Sequence, residues 1–444
     1  GMDVHVAPRV AQFRIEMRLL AEALRVPFAV VVWPARVIFY VYEIVLTSAV
    51  VQLGLALPMV VYFHRVGISG LSANALVVPA MGFVVPLGFA AIFTGWLWVA
   101  NLAGWFLGIS QRVVEFHAAL EPGWRIPTPP LWLALAISVA LIAAAAASTR
   151  AARMAAGGVV AILLALLLVH PFAPALGPRT LELTVIDVGQ GDGLFLAFPD
   201  GKTMLLDGGG IPVFGRVQRS NLEVGEDVIA PYLWDRGIRR VDVIAVSHAH
   251  EDHVGGLPAL VADFRPRELW TGATPEDAVW RRVRDAAVRA GTPIRPMHAP
   301  ERFDFGGAQI EVLAPMPDYV PGETPKNNDS LVLRVTYGSR SFLLCGDVER
   351  PIERAMLDAG EVHPADVLKV AHHGSRTSST EEFVEMAHPA FALISAGFEN
   401  SYGHPHPAVV ERLREHHAEV IRTDRAGLIT VRTDGRHLTV ETFR

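Results

Sequence analysis

The 444-residue chain has a single cysteine, Cys345, which excludes an intramolecular disulfide. Residues 1–175 contain no lysine, ten arginines and six acids, so water finds little there to solvate. The remainder holds the other 29 basic side chains against 39 acids, a net of −10. That half lacks a basic surplus, the usual surface of a protein that grips nucleic acid without regard to sequence. A phosphate-cradling loop is missing too. The run GQGD (189–192) has neither the lysine nor the glycine spacing of that motif, and reads as a structural turn that also approaches the site.

Long apolar runs are abundant in the first half. Residues 45–63, 71–109, 131–148 and 157–176 approach or exceed the roughly 18–20 residues needed to cross a bilayer. Pro79 and Pro86 interrupt the longest, which predicts a broken or re-entrant piece followed by a full span. Trp96, Trp98, Trp105 and Trp132 fall near segment ends, as interfacial aromatics do. Residues 8–40 mix Arg14, Arg18, Arg25 and Arg36 with apolar side chains, which suits one interfacial amphipathic helix. Arg150 and Arg153 lie in an acid-free loop before the last apolar segment. Such loops stay cytoplasmic, so everything after Leu176 is expected outside the cytoplasm.

The texture changes after the Pro/Gly linker 171–180, giving a membrane region 1–170 and a separate domain 181–444. Short apolar runs there end in Asp-Val-Gly, Pro-Asp-Gly and Asp-Gly-Gly. Helical stretches near 226–237 and 274–290 precede strands at 309–314, 330–337 and 341–346. A strand–helix alternation closes the chain. The pattern predicts two sheets enclosed by helices, a layered α/β sandwich.

The densest chemistry is AVSHAHEDHVGG (245–256). His248, His250, Asp252 and His253 leave one turn at the end of the apolar run VDVIAV, and Gly255 and Gly256 let the chain turn into a helix. Imidazole and carboxylate are the donors that borderline divalent ions accept. The same design recurs three times. Asp207 ends LLDGGG and could brace the metal loop from behind. Asp347 ends FLLCGD and could bridge two ions, and His372 and His373 end LKVAHHGS. The count fits two divalent ions: His248, His250 and Asp347 around one, and Asp252, His253, Asp347 and one of His372 and His373 around the other. Two ions about 3.5–4 Å apart could hold a bridging water and aim it at phosphorus. Asp252 would orient that water. The histidine that is not a ligand would contact phosphate or protonate the leaving oxygen.

His-x-His-x-Asp-His, the earlier Asp-Gly, the later Gly-Asp and the final His resemble the metallo-β-lactamase superfamily, which implies an αββα sandwich for residues 181–444. VIDVGQGDG, NNDSLVLRV, LLCGDVE, VLKVAHHGSRTSS and ISAGFENSYGHPH are similar, in order, to blocks of the ComEC family of DNA-uptake competence proteins. Residues 42–110 resemble the end of that family's membrane region. Full-length members carry an N-terminal soluble domain and more membrane helices, so the resemblance implies a fragment or a shortened relative.

The resemblance further implies a multi-pass protein of the bacterial inner membrane, working with other DNA-uptake components. Its extracytoplasmic domain would hydrolyse the DNA strand that is not imported, acting on single-stranded DNA or one strand of a duplex with two zinc or manganese ions. Between His253 and Asp347 the sole histidine is His298, in a Pro-rich turn, so Asn328 or Asp329 is expected near the first ion, which favours manganese. Ser375, Asn328, Asn400, Tyr402 and His404 are the candidate phosphate contacts. Arg216, Arg219, Arg236, Arg239, Arg240 and Arg376 are candidates for a local basic patch. The competing expectations are a cell-envelope phosphodiester as substrate, and a channel component whose metal domain is not catalytic.

Overall fold

In the computed structural model, which describes residues 7–121, 123–211 and 222–444, the chain divides into two compact units, Gly1–His170 and Pro171–Arg444. The first is helical: α1 (Pro8–Leu24), α2 (Phe28–Phe63), α3 (Gly70–Thr94), α4 (Leu97–Leu120), α5 (Leu131–Ala146) and α6 (Arg150–Val169). Of these, α2, α3 and α6 are long and apolar enough to cross a membrane.

Two expectations need correction. Residues 8–40 do not form one helix, because Arg25 adopts a left-handed φ of 50° and Pro27 caps the next helix, which then runs unbroken past Pro34 and Pro58. Likewise α3 continues through Pro79 and Pro86, and the chain breaks instead at Gly95, whose φ is 70°. Long apolar helices keep enough hydrogen bonds on either side of a proline to stay helical where they are otherwise well packed or satisfied. A glycine that caps the helix C-terminus ends it outright.

The second unit contains fifteen strands among its described residues. They are β1 (Leu181–Val185), β2 (Leu194–Ala197), β3 (Thr203–Leu206), β4 (Val243–Val246), β5 (Glu268–Thr271), β6 (Ile294–Pro296), β7 (Arg302–Phe305) and β8 (Ala308–Ala314). Then follow β9 (Val332–Tyr337), β10 (Arg340–Leu344), β11 (Val367–Lys369), β12 (Phe391–Ile394), β13 (Glu419–Arg422), β14 (Leu428–Thr433) and β15 (Leu438–Phe443). One sheet runs β15-β14-β1-β2-β3-β4-β5-β6 and the other β13-β12-β11-β10-β9-β8-β7. Each is mixed. Strands β3 to β6 are parallel in the first sheet, as are β10 to β13 in the second.

Side-chain alternation along the strands builds three apolar layers. Leu194, Leu196, Met204 and Leu206 face the second sheet's Leu333, Val335, Phe342 and Leu344. Between them, Phe195 and Leu205 point outward against Leu233, Leu257, Leu260 and Val283 from helices Ala230–Asp235, Leu257–Phe264 and Ala278–Ala290. On the far side, Leu343, Leu368 and Ala392 pack on Ile352, Phe383 and Leu413 from three further helices. The result is the expected αββα sandwich. The parallel strands of both sheets then end at loops that carry the chemistry, where open α/β sheets place their ligands.

Candidate metal centre

Strand β4 is wholly buried, and the polypeptide leaves it through Ser247 into the short helix Glu251–Val254, which displays Asp252 and His253. Two glycine-bearing turns press on that helix. A Cβ on Gly191, whose φ is 129°, would stand 2.1 Å from the Asp252 carbonyl oxygen, and one on Gly210 would stand 1.9 Å from that of Glu251. Only a residue without a side chain permits so close an approach. The turns pay back in hydrogen bonds: Gly208 N donates to His253 O at 2.6 Å and Gly256 N to Gly209 O at 3.0 Å. They fix the loop against the tip of β3.

At that tip Asp207 sits in the left-handed region, φ 63°, which Asp tolerates better than most residues. The bend turns its carboxylate inward. It accepts from Ser247 N at 2.8 Å, from Ser247 Oγ at 2.6 Å and from His253 Nδ1 at 2.8 Å. With Nδ1 occupied, His253 presents Nε2 to the cluster.

The second sheet contributes the opposite wall. Asp347 follows β10, and its N–H donates to Ser330 Oγ at 3.0 Å. His373 follows β11, in a turn where it and His372 both take positive φ, 52° and 50°. Consecutive left-handed residues cost roughly 1–2 kcal/mol each, and such strain gathers where a fold is made to present particular side chains. Here the twist sends the two rings different ways.

His373 enters the cluster. Its Nδ1 lies 3.0 Å from Ser395 O, while its Nε2 lies 3.4 Å from Asp347 Oδ2 and 3.6 Å from Asp252 Oδ2. His372 stays at the rim, 3.4 Å from Glu349 Oε1 and 3.3 Å from Asn327 Nδ2. Of the two, His373 is the one whose ring lies among the cluster's donors.

Donor atoms of His248, His253 and Asp347 converge within 4.8 Å, as do those of Asp252, His253 and His373. His253 Nε2 is 3.2 Å from Asp347 Oδ2. His253 Nε2, His373 Nε2 and Asp347 Oδ1 are buried without a hydrogen-bond partner. Buried polar atoms are nearly always satisfied, so three orphans within these overlapping groups of donors fit divalent cations. The electrostatics agree. Burial alone would raise Asp347 and Asp252, yet His373 and His253 hold both carboxyls below the usual range. Burial and the neighbouring His253 push His248 well below its ordinary value, leaving it a neutral donor. Burial works against the charged form of His253, but Asp347, Asp207 and Asp252 outweigh it and raise its pKa.

His250 stands slightly apart. Its Nδ1 is 2.9 Å from His248 Nε2, so the pair converges, while its Nε2 is 3.2 Å from Pro325 O. Several expectations are not met. Asp329 has both oxygens engaged, by Tyr319 OH at 2.7 Å and Lys326 N at 2.7 Å, and Asn328 Oδ1 accepts from Glu349 N at 2.9 Å, so both hold the loop together. His298 is exposed beside Glu301. Ser375 is buried in its own turn. Its N–H donates to His372 O at 2.8 Å and its hydroxyl pairs with Thr377, so it does not offer itself to a phosphate. Arg236 belongs to no exposed basic patch, since it pairs with buried Glu182. Arg216 and Arg219 lie outside the described residues.

The other candidate contacts gather on loop 397–406. His404 places its ring 5.5 Å from that of His372 and 6.4 Å from that of His373, and Tyr402 stacks on His404 at 5.9 Å. Burial, reinforced by His372 and His373, brings His404 down to about 4. Asn400 does not face the cluster. It closes the loop, donating to Gly397 O at 2.9 Å and His404 O at 2.6 Å, and accepting from His404 N at 3.0 Å.

Two residues escape the motif reading. Asp192, in GQGD, is fully buried and forms an ion pair with Lys369 of β11, itself fully buried. Asp192 Oδ1 lies 3.5 Å from His373 Nδ1, and Asp192, Asp347 and His373 form a third convergent group. Burial disfavours a charged Lys369, but Asp192, then Asp347, and also Asp207 raise its pKa. It is thus a fixed cation behind a cluster of carboxylates.

A centre of histidines and aspartates at the strand ends of an αββα sandwich defines a metallo-β-lactamase superfamily domain, and residues 186–397 match the family model of that superfamily. Residues 18–151 match the competence protein family. The chain therefore carries a competence (ComEC) domain followed by a metallo-β-lactamase domain. It is 30% identical to ComE operon protein 3 of Bacillus subtilis over 89% of this chain and 52% of that protein. It is 27% identical to competence protein ComA of Neisseria gonorrhoeae over 80% of this chain and 47% of that one. The chain thus spans about half the length of these relatives.

Among solved structures, the metallo-β-lactamase fold protein YhfI of Bacillus subtilis aligns with 14% identity and a TM-score of 0.37, covering 56% of this chain and 99% of that one. The competence region and the apolar helices make the chain a membrane protein, and the metallo-β-lactamase fold implies divalent metal binding.

Proposed function

We propose that residues 181–444 form a metal-dependent phosphodiesterase that cuts DNA, degrading the strand that is not imported, on the outer side of the inner membrane. The observation that carries this reading is the convergence of Asp252, His253, His373, Asp347 and His248, with three orphaned donor atoms among them. His248, His250 and Asp347 would hold one divalent ion, and Asp252, His253, His373 and the same Asp347 a second, zinc or manganese. Bound there, the ions supply Lewis acidity towards a phosphoryl oxygen and lower the pKa of water.

The chain's own groups do the rest. Asp252, held deprotonated between His253 and His373, orients the attacking water through a carboxylate oxygen. His372 at the rim is kept neutral by burial and by His373, which suits it to donate a hydrogen bond to a phosphate oxygen or leaving group. Asp207 keeps His253 in the tautomer that faces the cluster.

The match of residues 18–151 to the competence protein family supports a role in DNA uptake, and with it DNA as the substrate and other uptake components as partners. Arg150 and Arg153 at the start of α6 support the outward orientation. The net −10 of residues 176–444 favours a second reading, a smaller phosphodiester of the cell envelope.

The full chain in detergent, given labelled single- and double-stranded DNA with Mn²⁺, Zn²⁺ or chelator, tests the proposal. Metal-dependent cutting that Asp252→Ala abolishes is the expected result. Intact DNA with turnover of a small phosphodiester supports the second reading. Turnover of neither leaves a non-catalytic metal domain and refutes the proposal.

A further inference from the structure

The loop after β12 carries two exposed aromatic side chains and reaches the metal centre through His404, whose ring lies 6.4 Å from that of His373. Phe398 is 69% exposed, although Ala396 and Gly397 just before it are buried. Tyr402 is 38% exposed. The exposure does not come from a loose segment. Asn400 ties the loop to itself through three hydrogen bonds, Gly397 N donates to Gln190 Oε1 at 3.2 Å, and His406 N donates to Gly374 O at 2.8 Å.

The rings form a file leading outward from the centre. His404 lies nearly parallel to His373, 28° between planes, and Tyr402 nearly parallel to His404, 25° between planes. Asp252 lies close enough to raise the Tyr402 phenol, after burial, above its ordinary value.

We propose that loop 397–406 is a base-stacking platform, on which Phe398 and Tyr402 hold unpaired bases of the nucleic-acid strand whose backbone enters the metal centre. The inference rests on the nuclease reading and adds what the strand is held by. A unit with a net charge of −10 lacks the phosphate-neutralising surface that supplies most sequence-blind affinity. Base stacking on aromatic rings is the remaining sequence-tolerant source, since every base has a π-face. It demands bases free of a partner strand, so the platform selects single strands or frayed ends over intact duplex.

Fluorescence anisotropy of the full chain tests this, using an Asp252→Asn background to suppress cutting. The probes are a fluorescein-labelled oligothymidylate and an abasic phosphodiester oligomer of equal length and charge. Stacking is worth about 5- to 150-fold in affinity per base, so the oligothymidylate should bind at least about 5-fold tighter than the abasic oligomer.

Phe398→Ala should erase much of that preference and Phe398→Trp should keep it. Tyr402→Phe should keep it as well, because the ring and not the hydroxyl carries the contact. Equal binding of the two oligomers overturns the proposal. So does a Phe398→Ala loss that falls equally on both, or loss of the preference in Tyr402→Phe. The readout is binding, so absence of DNA cutting in the unaltered chain would refute the nuclease while leaving a base preference visible.

Discussion

Lys369→Met removes the cation from a pair in which neither side chain has any exposed surface. The methionine is close in length and packs where the lysine stem lay, so the change is almost purely one of charge. Asp192 then remains buried with one oxygen already lacking a hydrogen-bond partner, beside Asp347 and Asp207, and only the imidazoles of His373 and His253, at 3.5 and 3.9 Å, are left to offset its charge. Breaking a buried pair from one side costs about 3–5 kcal/mol, chiefly from the charge left uncompensated. For a unit of this size each kcal/mol lowers the melting temperature by about 2–4 °C. A fall of roughly 6–20 °C is therefore expected for the second unit in chelator.

Differential scanning calorimetry of the full chain reads that transition. Adding Asp192→Asn should recover most of the loss, because the stranded charge is gone. The reasoning is refuted if Lys369→Met alone moves the transition by less than about 2 °C, or if the double variant is worse than the single one.

Other expectations follow from the donors' surroundings. Asp207→Asn leaves the packing intact but weakens the hold on His253 Nδ1, and should lower divalent-ion affinity about 10- to 100-fold, measured by competition with a chromophoric chelator. His373→Ala should reduce the number of tightly held ions per chain by elemental analysis, whereas His372→Ala should retain them and lower turnover of any phosphodiester substrate. Loss of ions in His372→Ala but not in His373→Ala would reverse the assignment made from position.

The sandwich was legible because its strands are short buried runs that end in Asp-Gly or His motifs, and HxHxDH marks its own place by following VDVIAV. The membrane half was read less well. Proline is a local signal, whereas helix continuity past Pro34, Pro58, Pro79 and Pro86 depends on the turns either side. Lys369 was illegible for another reason. In a strand reading VLKV it looks like an outward-facing polar residue, and its partner Asp192 is 177 positions away. GQGD likewise reads as a turn until the fold brings it under His373. Ser375 erred the other way: a serine after His-His-Gly suggests a phosphate contact, but the left-handed turn uses it internally.

No single sheet owns the metal centre. His248, Asp252 and His253 descend from the first sheet, Asp347 and His373 from the second, and the first sheet itself is unfinished until β14 inserts between β15 and β1. The centre therefore exists only once both sheets have docked, and β1, the first strand, gains its second neighbour from β14, far later in the sequence. Assembly of the centre is thus tied to closure of the whole sandwich and not to any one strand and its turn.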